Sequence, residues 1–295
     1  MVSSAERSAE LRRLLGEGVV ALPGAFNALS ARLIERSGFD AMYVSGAVFA
    51  NSVGGVADVG LLTLTESRDH IAHMASVTSI PILADADTGY GGAENAARTV
   101  RVLEAAGCSG IHLEDQEFPK RCGHLDGKKL VDAEEFCRKI EAAVAAKSSE
   151  DFLLIARTDA RSVAGYREAV KRAKMYLSAG ADAIFPEALE GRDEFGQFAQ
   201  DVGGLLLANM TEFGKTPYLS VDEFGAMGYR IVIFPVTLQR YVMKATQRAL
   251  DVLKRDGTQE SLLADMQTRS ELYELLDYDM QAPVRPALEQ TEENR

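Results

Sequence analysis

A closed, TIM-type (β/α)8 barrel is the fold class that this 295-residue sequence predicts, and three observations lead there. Short apolar runs alternate with helical patterns about eight times along the chain. The runs are apolar throughout, with no polar alternate face, so each strand is expected to be buried on both sides in a parallel sheet sheathed by helices. Polar, chemically capable residues follow the runs directly, where a barrel gathers its βα loops. An open doubly wound sheet would announce itself with a glycine fingerprint after its first strand. Here that strand leads into PGAFNALS, and the near-match Gly89-Tyr90-Gly91 has Glu94 where a third glycine is needed.

Taken in order, Ser3 or Ser4 can cap a first helix running to about Leu15, with Leu11, Leu14 and Leu15 on one face. Strands are expected at 19–22, 41–44, 80–84, 110–113, 152–156, 183–185, 205–208 and 231–234. Helices are expected between them at 28–36, 66–76, 93–106, 133–146, 165–179, 194–202 and 221–227. Thr237 can cap the last barrel helix, 238–254, and a further helical pattern, 259–276, carries Leu262, Leu263, Met266, Leu272, Leu275 and Leu276. A closed barrel offers that leucine face no obvious home. A neighbouring subunit would bury it, for instance by exchange of helices, and the alternative is that it folds back on its own barrel. No composition shift marks a boundary, so 1–295 reads as one barrel domain with a C-terminal helical extension at about 237–277.

Composition narrows the function. Lys and Arg number 32 against 44 Asp and Glu, a net charge of -12, which supplies no basic footprint for nucleic acid or an anionic membrane. Three cysteines, Cys108, Cys122 and Cys137, form no CxxC pair and suggest neither a disulfide framework nor a thiolate zinc site. The start of the chain lacks a signal-like apolar stretch and no run approaches a membrane span, so a cytoplasmic protein is expected. Neither HExxH nor Gly-x-Ser-x-Gly occurs.

The strand ends carry the chemistry. The stretch 110–124, GIHLEDQEFPKRCGH, closes an apolar run with two carboxylates and then sets two cations, a thiol, a glycine and an imidazole in one loop. Cations beside Cys122 favour thiolate, which equips it to exchange a proton. Asp85 and Asp87, two apart at a strand end, are expected to point the same way and suit Mg2+, with Asp58 and Glu114 contributing through water. Arg157 offers a bidentate grip on a carboxylate. Ser45 and the amides of Gly46 and Ala47 can serve the same anion, while Asn209 and Thr211 add neutral donors. His70, His73 and His112 read as structural. Such a pocket fits a small polycarboxylate.

LPGAFNALSA, YVSGA, DADTGYG, HLEDQEFPKRCGH, ARTDAR, FPEAL, NMTEFGKTP and MQTRSELYELL, spread over about 22–279, resemble the isocitrate lyase and phosphoenolpyruvate mutase superfamily. KRCGH is specific to its carbon–carbon lyase branch. The resemblance implies a Mg2+-dependent lyase, with Mn2+ as a substitute, that cleaves (2R,3S)-2-methylisocitrate to pyruvate and succinate. Isocitrate, 2,3-dimethylmalate and oxaloacetate are the rival substrates, and a non-enzymatic barrel is the reading from another class. It further implies a helix-swapped homotetramer with a mobile loop carrying KRCGH. By the same resemblance the metal-associated acids fall on Asp58, Asp85, Asp87 and Glu114. The oxo-acid grip falls on Ser45, Gly46 and Arg157, the tyrosine near the cleaved hydroxyl on Tyr43, and the proton donor on Cys122. Arg121, Gly123, His124, Glu187, Asn209 and Thr211 are implied to hold the succinyl carboxylates. Ala47 stands where some relatives have glycine, a change that keeps the amide donor. Phe185, Phe234 and Pro235 are the expected wall for a substrate methyl.

Overall fold

The computed structural model describes residues 2–123 and 125–278, and the chain divides into two compact units between Gln247 and Arg248. The first unit begins with α1 (Ser4–Glu17) and β1 (Val20–Pro23), then α2 (Ala28–Arg36) and β2 (Met42–Val44). A short α3 (Gly46–Phe49) continues into a π-helical turn, Ala50–Gly54, before α4 (Leu64–Ala75) and β3 (Ile82–Asp85). Next come α5 (Ala93–Ala105), β4 (Gly110–Glu114), α6 (Ala133–Ala145) and β5 (Leu153–Thr158). The unit continues through α7 (Ala160–Ala164), α8 (Tyr166–Ser178), β6 (Ala183–Pro186), α9 (Arg192–Val202) and β7 (Leu205–Asn209). It ends with α10 (Val221–Ala226), β8 (Ile231–Phe234) and the first half of α11 (Thr237–Asp256). Helix starts follow local chemistry: Ser3 with Glu6, Thr63 with Glu66 and Ser220 with Glu223 form reciprocal capping boxes on α1, α4 and α10.

All ladders are parallel, in the order β1-β8-β7-β6-β5-β4-β3-β2. Between β1 and β2 the ring is spanned by one parallel bridge, Gly24 with Tyr43, where the Ala25 amide donates to the Tyr43 carbonyl at 2.9 Å. The expected (β/α)8 barrel is therefore present. Alternate residues of each strand feed two separate apolar layers. Leu22, Leu83, Leu153, Ile155, Phe185, Leu207, Ile231 and Ile233 fill the barrel interior with Tyr43. Met42, Val44, Ala84, Ile111, Leu154, Ile184 and Val232 face the helical sheath. Leu11 and Leu15 of α1 join the interior group, and Arg7 donates to the carbonyls of Ala75 and Gly107 beneath the barrel. Thus α1 is a plug for the end opposite the polar strand tips.

Three local expectations change. Phe234 packs into the sheath layer while Ile233 points inward, because strand side chains alternate and the inward parity on β8 falls on Ile233; Phe185 and Pro235 of the expected wall do line the mouth. Asp87 is not a strand continuation of Asp85: β3 stops at Asp85, and Asp87 takes a left-handed φ of 48°. In the second unit, 259–276 is not one helix. A 3-10 segment, Glu260–Asp265, precedes α12 (Arg269–Leu275), which Thr268 starts afresh through a capping box with Glu271. Among the described residues no helix is long and apolar enough to cross a membrane.

His70 on α4 is half-buried, stacks on Phe49 at 4.8 Å, and its Nε2 has no hydrogen-bond partner among the described residues. Burial, with His73 nearby, pushes its imidazole from 6.5 down to about 4. The unfolded chain binds the proton more readily over that interval, so this residue's support for folding is complete above pH 6.5 and lost as pH falls toward 4. His70→Gln is expected to flatten the fall in urea midpoint between pH 6.5 and pH 4, and an unchanged slope counts against this account.

Candidate active site at the barrel mouth

A cavity of about 800 Å³ opens at the C-terminal ends of the strands and is lined by Tyr43, Ser45, Ala47, Asp58, Asp85, Cys122, Gly123, Arg157, Glu187, Asn209 and Thr211. Phe26, Phe185, Ile233, Pro235 and Val236 supply its apolar wall. The strand-end residues expected to form a site are therefore largely brought together.

On one side stand the acids. The Asp87 amide donates to Asp85 Oδ1 at 2.9 Å, so the two carboxylates remain neighbours although the strand has ended. Gly46 donates its amide to Asp85 Oδ2 at 3.2 Å, and a Cβ there would lie 2.9 Å from the same oxygen, which is why the position suits glycine. Ser45 caps α3, its Oγ accepting from the Val48 amide. Lys120, buried, joins Asp58 and reaches Asp87 Oδ1 at 2.7 Å. Burial opposes its charge, but Glu114, Asp87, Asp85 and Asp58 hold the ammonium well above its ordinary range. Burial also lifts Asp87 to about 6 against the pull of Lys120.

Glu114 is wholly buried, and burial raises its carboxyl well above the usual range despite Arg157 and Lys120. Arg157 Nε stands 3.3 Å from Glu114 Oε2, yet neither Glu114 oxygen has an aligned hydrogen-bond donor among the described residues. Of the four expected metal-associated acids, Asp85 and Asp87 stay together while Asp58 pairs with Lys120 and Glu114 with Arg157, and among the described residues no group of three His, Cys, Asp or Glu is placed to hold a metal.

Tyr43 sits inside the barrel with its hydroxyl 2.6 Å from His112 Nε2. Burial pushes the phenol far above its normal value and the His112 imidazole down to about 4, so both are neutral at pH 7. His112, read from sequence as structural, thus orients a site hydroxyl.

Arg157 is the hub on the other side. Its Nε donates to Asp159 Oδ2 at 2.9 Å and its NH1 meets Glu187 Oε2 at 3.2 Å. Asn209 Nδ2 also turns to Glu187, at 3.3 Å. Glu187 was expected among the carboxylate-holding residues. In the structure its carboxylate accepts from Asn209 and pairs with Arg157.

The loop after β4 lays Cys122 and Gly123 into the mouth. A Cβ on Gly123 would come within 2.4 Å of Glu187 Cγ and 2.5 Å of Arg157 NH2, a close approach open only to glycine. Cys122 is half-buried and lines the cavity. Arg121 does not join it: the side chain is exposed and donates to the Asp126 carbonyl at 3.3 Å. His124 lies outside the described residues. Sequence reading assigned no role to Lys120, Lys128, Asp159 or Gln116. Lys120 stands within the quoted KRCGH and Asp159 within ARTDAR, but nothing in the sequence marks a lysine as buried.

A family model described as phosphoenolpyruvate phosphomutase matches residues 11–254. The chain is 49% identical over 269 residues to 2-methylisocitrate lyase of Aeropyrum pernix, covering 91% of this chain and 86% of that one. Among solved structures it resembles a 2,3-dimethylmalate lyase with a TM-score of 0.88 and 40% identity, over 94% of this chain and 93% of that one. A phosphonopyruvate hydrolase solved with oxalate and Mg2+ matches with a TM-score of 0.83 and 33% identity, over 94% and 95% of the two chains.

Adding one methyl at the tightest point tests this geometry. Gly123→Ala is expected to lower turnover by about 10²-fold, the cost of a displacement near 1 Å at a reacting centre. Thermal stability should change little, and undiminished turnover would show that the loop does not pack as described.

Proposed function

Because the chain belongs to the phosphoenolpyruvate phosphomutase family, we propose that it is a 2-methylisocitrate lyase cleaving (2R,3S)-2-methylisocitrate to pyruvate and succinate. The observation that carries this reading is one cavity lined by a half-buried thiol, Cys122, together with Arg157 and the apolar side chains Phe185, Ile233 and Pro235. The 49% identity to a 2-methylisocitrate lyase supports the substrate.

Magnesium is the proposed metal, with Mn2+ as substitute. The donors present fit it: they are oxygens only, both Glu114 oxygens are buried without a hydrogen bond, and Lys120 and Arg157 leave the acid cluster with excess negative charge. Asp85 and Asp87 would hold the ion, with Asp58 and Glu114 behind water. When bound, it supplies polarisation of the oxygens of the pyruvate half.

The chain's own residues do the rest. Arg157, held by Asp159 and Glu187, presents its guanidinium to a substrate carboxylate, with Ser45, Gly46 and Ala47 beside it. Tyr43, kept as a neutral phenol, orients the C2 hydroxyl. The hydroxyl gives its proton to a carboxylate of the cavity lining, Asp58, as the C2–C3 bond breaks in a retro-aldol sense and its electron pair moves to the carbon alpha to a succinate carboxylate. Asn209 and Thr211 stand on that side of the mouth and stabilise the developing charge. Cys122 then delivers its proton to that carbon, while Phe185, Ile233 and Pro235 receive the C2 methyl. Likeness to 2,3-dimethylmalate lyase favours that acid as the second reading.

Parallel assays of 2-methylisocitrate, 2,3-dimethylmalate and isocitrate, products resolved by mass, decide between them. The highest kcat/KM is expected for 2-methylisocitrate, with activity abolished by exhaustive chelation, restored by Mg2+, and cut by about 10²–10⁴ in Cys122→Ser. Preference for another acid overturns the substrate, and near-normal turnover in Cys122→Ser overturns the thiol's role.

We further propose a cytoplasmic homotetramer that exchanges C-terminal helices, with the whole chain one barrel domain and its extension. Exposed Tyr241, Met243, Leu250, Leu253, Leu263 and Leu276 support this, since water-facing apolar side chains in such number mark an interface. Sedimentation velocity is expected to give four chains per particle, and a well-behaved monomer refutes it.

A further inference from the structure

Cys122 is flanked by two residues whose backbone is gripped by buried side chains. On one side Gln116 accepts from the Arg121 amide at 3.0 Å and donates to the Arg121 carbonyl at 2.8 Å. On the other, Lys128 Nζ donates to the Gly123 carbonyl. The same ammonium pairs with Asp159 Oδ1 at 2.7 Å, with both side chains shut away from solvent. Asp159 in turn holds Arg157 through Nε at 2.9 Å and NH2 at 3.3 Å. Its own place is fixed by Asp115, which accepts from the Asp159 amide at 2.9 Å and from the hydroxyls of Thr158 and Tyr176, both at 2.8 Å.

A lysine is an expensive way to fill space under a loop, because desolvating an ammonium must be offset by a carboxylate and further acceptors. Methionine or leucine would pack there without that cost. What an ammonium adds is a directed link between two particular acceptors, here the carbonyl following the thiol and the carboxylate that orients the arginine. Lys128 does not line the cavity, so it acts through its neighbours.

We propose that Lys128 is a positioning residue that ties Cys122 to the Arg157 anion grip through Asp159, so that the thiol and the bound carboxylate keep one spacing. The inference rests on the reading of Cys122 as the proton donor, and its test includes a readout that needs no turnover.

In the full-length protein assayed with Mg2+, Lys128→Met is expected to lower kcat by about 10², as for misplaced reacting groups, with a much smaller change in KM. Alkylation of Cys122 by iodoacetamide, followed by peptide mass, should quicken several-fold, while buried Cys108 stays unreactive and reports an intact fold. Lys128→Arg should recover most of both properties. If Lys128→Met fails to fold, Lys128→Gln, which keeps one donor, takes its place. Unchanged kcat and unchanged alkylation overturn the proposal. So does a rise in KM at constant kcat, which would make Lys128 a support for Arg157 alone, or reactivity gained equally at Cys108, which would make it a general structural pair. Faster Cys122 alkylation alongside normal turnover in Cys122→Ser would leave the positioning intact and remove the proton-donor reading instead.

Discussion

The buried guanidinium of Arg157 is the constraint on which the mouth of this barrel depends. It meets Asp159, Glu114 and Glu187 at 2.9 to 3.3 Å, and those carboxylates come from three consecutive strand ends, β4, β5 and β6. No one of these charges could remain inside alone, since losing one partner of a buried pair costs about 3–5 kcal/mol. Held together, they raise Arg157 far above its ordinary range against the effect of burial. The arginine is therefore permanently charged and held from three sides. Three adjacent strands are pinned to one centre as a result, and Gly123 can approach that centre because it has no side chain.

The two halves of the mouth divide their labour by solvation. Around Lys120 the carboxylates of Asp58 and Asp87 gather on one ammonium. Around Phe185, Ile233 and Pro235 the wall is apolar and would strengthen any charge interaction made beside it. A barrel supplies such a division readily, because each strand end contributes its loop independently of the next.

Much of this was legible in the sequence because it follows from local chemistry. Continuous apolar runs gave away the parallel strands within a residue or two, and the capping pairs Thr63 with Glu66 and Ser220 with Glu223 set helix starts. Residues that end strands, such as Arg157, Glu114 and Asn209, could be placed at the mouth from their position alone. Side-chain parity was harder. A run like Ile231–Phe234, apolar at every position, carries no alternation to say whether Ile233 or Phe234 faces inward. Buried charge was hardest: Lys128 reads as an ordinary loop lysine until Asp159, 31 positions away, is seen beneath it. The 259–276 pattern failed for a different reason, since its leucines keep helical spacing across Thr268, and only the geometry of the cap reveals the restart.

The ring of strands is not uniform around its circumference. Seven neighbouring pairs of strands share ladders, whereas among the described residues β1 and β2 meet at the single bridge between Gly24 and Tyr43. A Cβ on Gly24 would lie 2.1 Å from the Pro235 carbonyl oxygen, so this residue also lets the end of β8 close over the junction. The barrel thus has a seam, and the seam runs beside Tyr43 and Pro235, two residues of the cavity wall. The fewest backbone hydrogen bonds between neighbouring strands therefore lie beside the cavity wall, while the charged hub of Arg157 sits three strands further on, where the ladders are continuous.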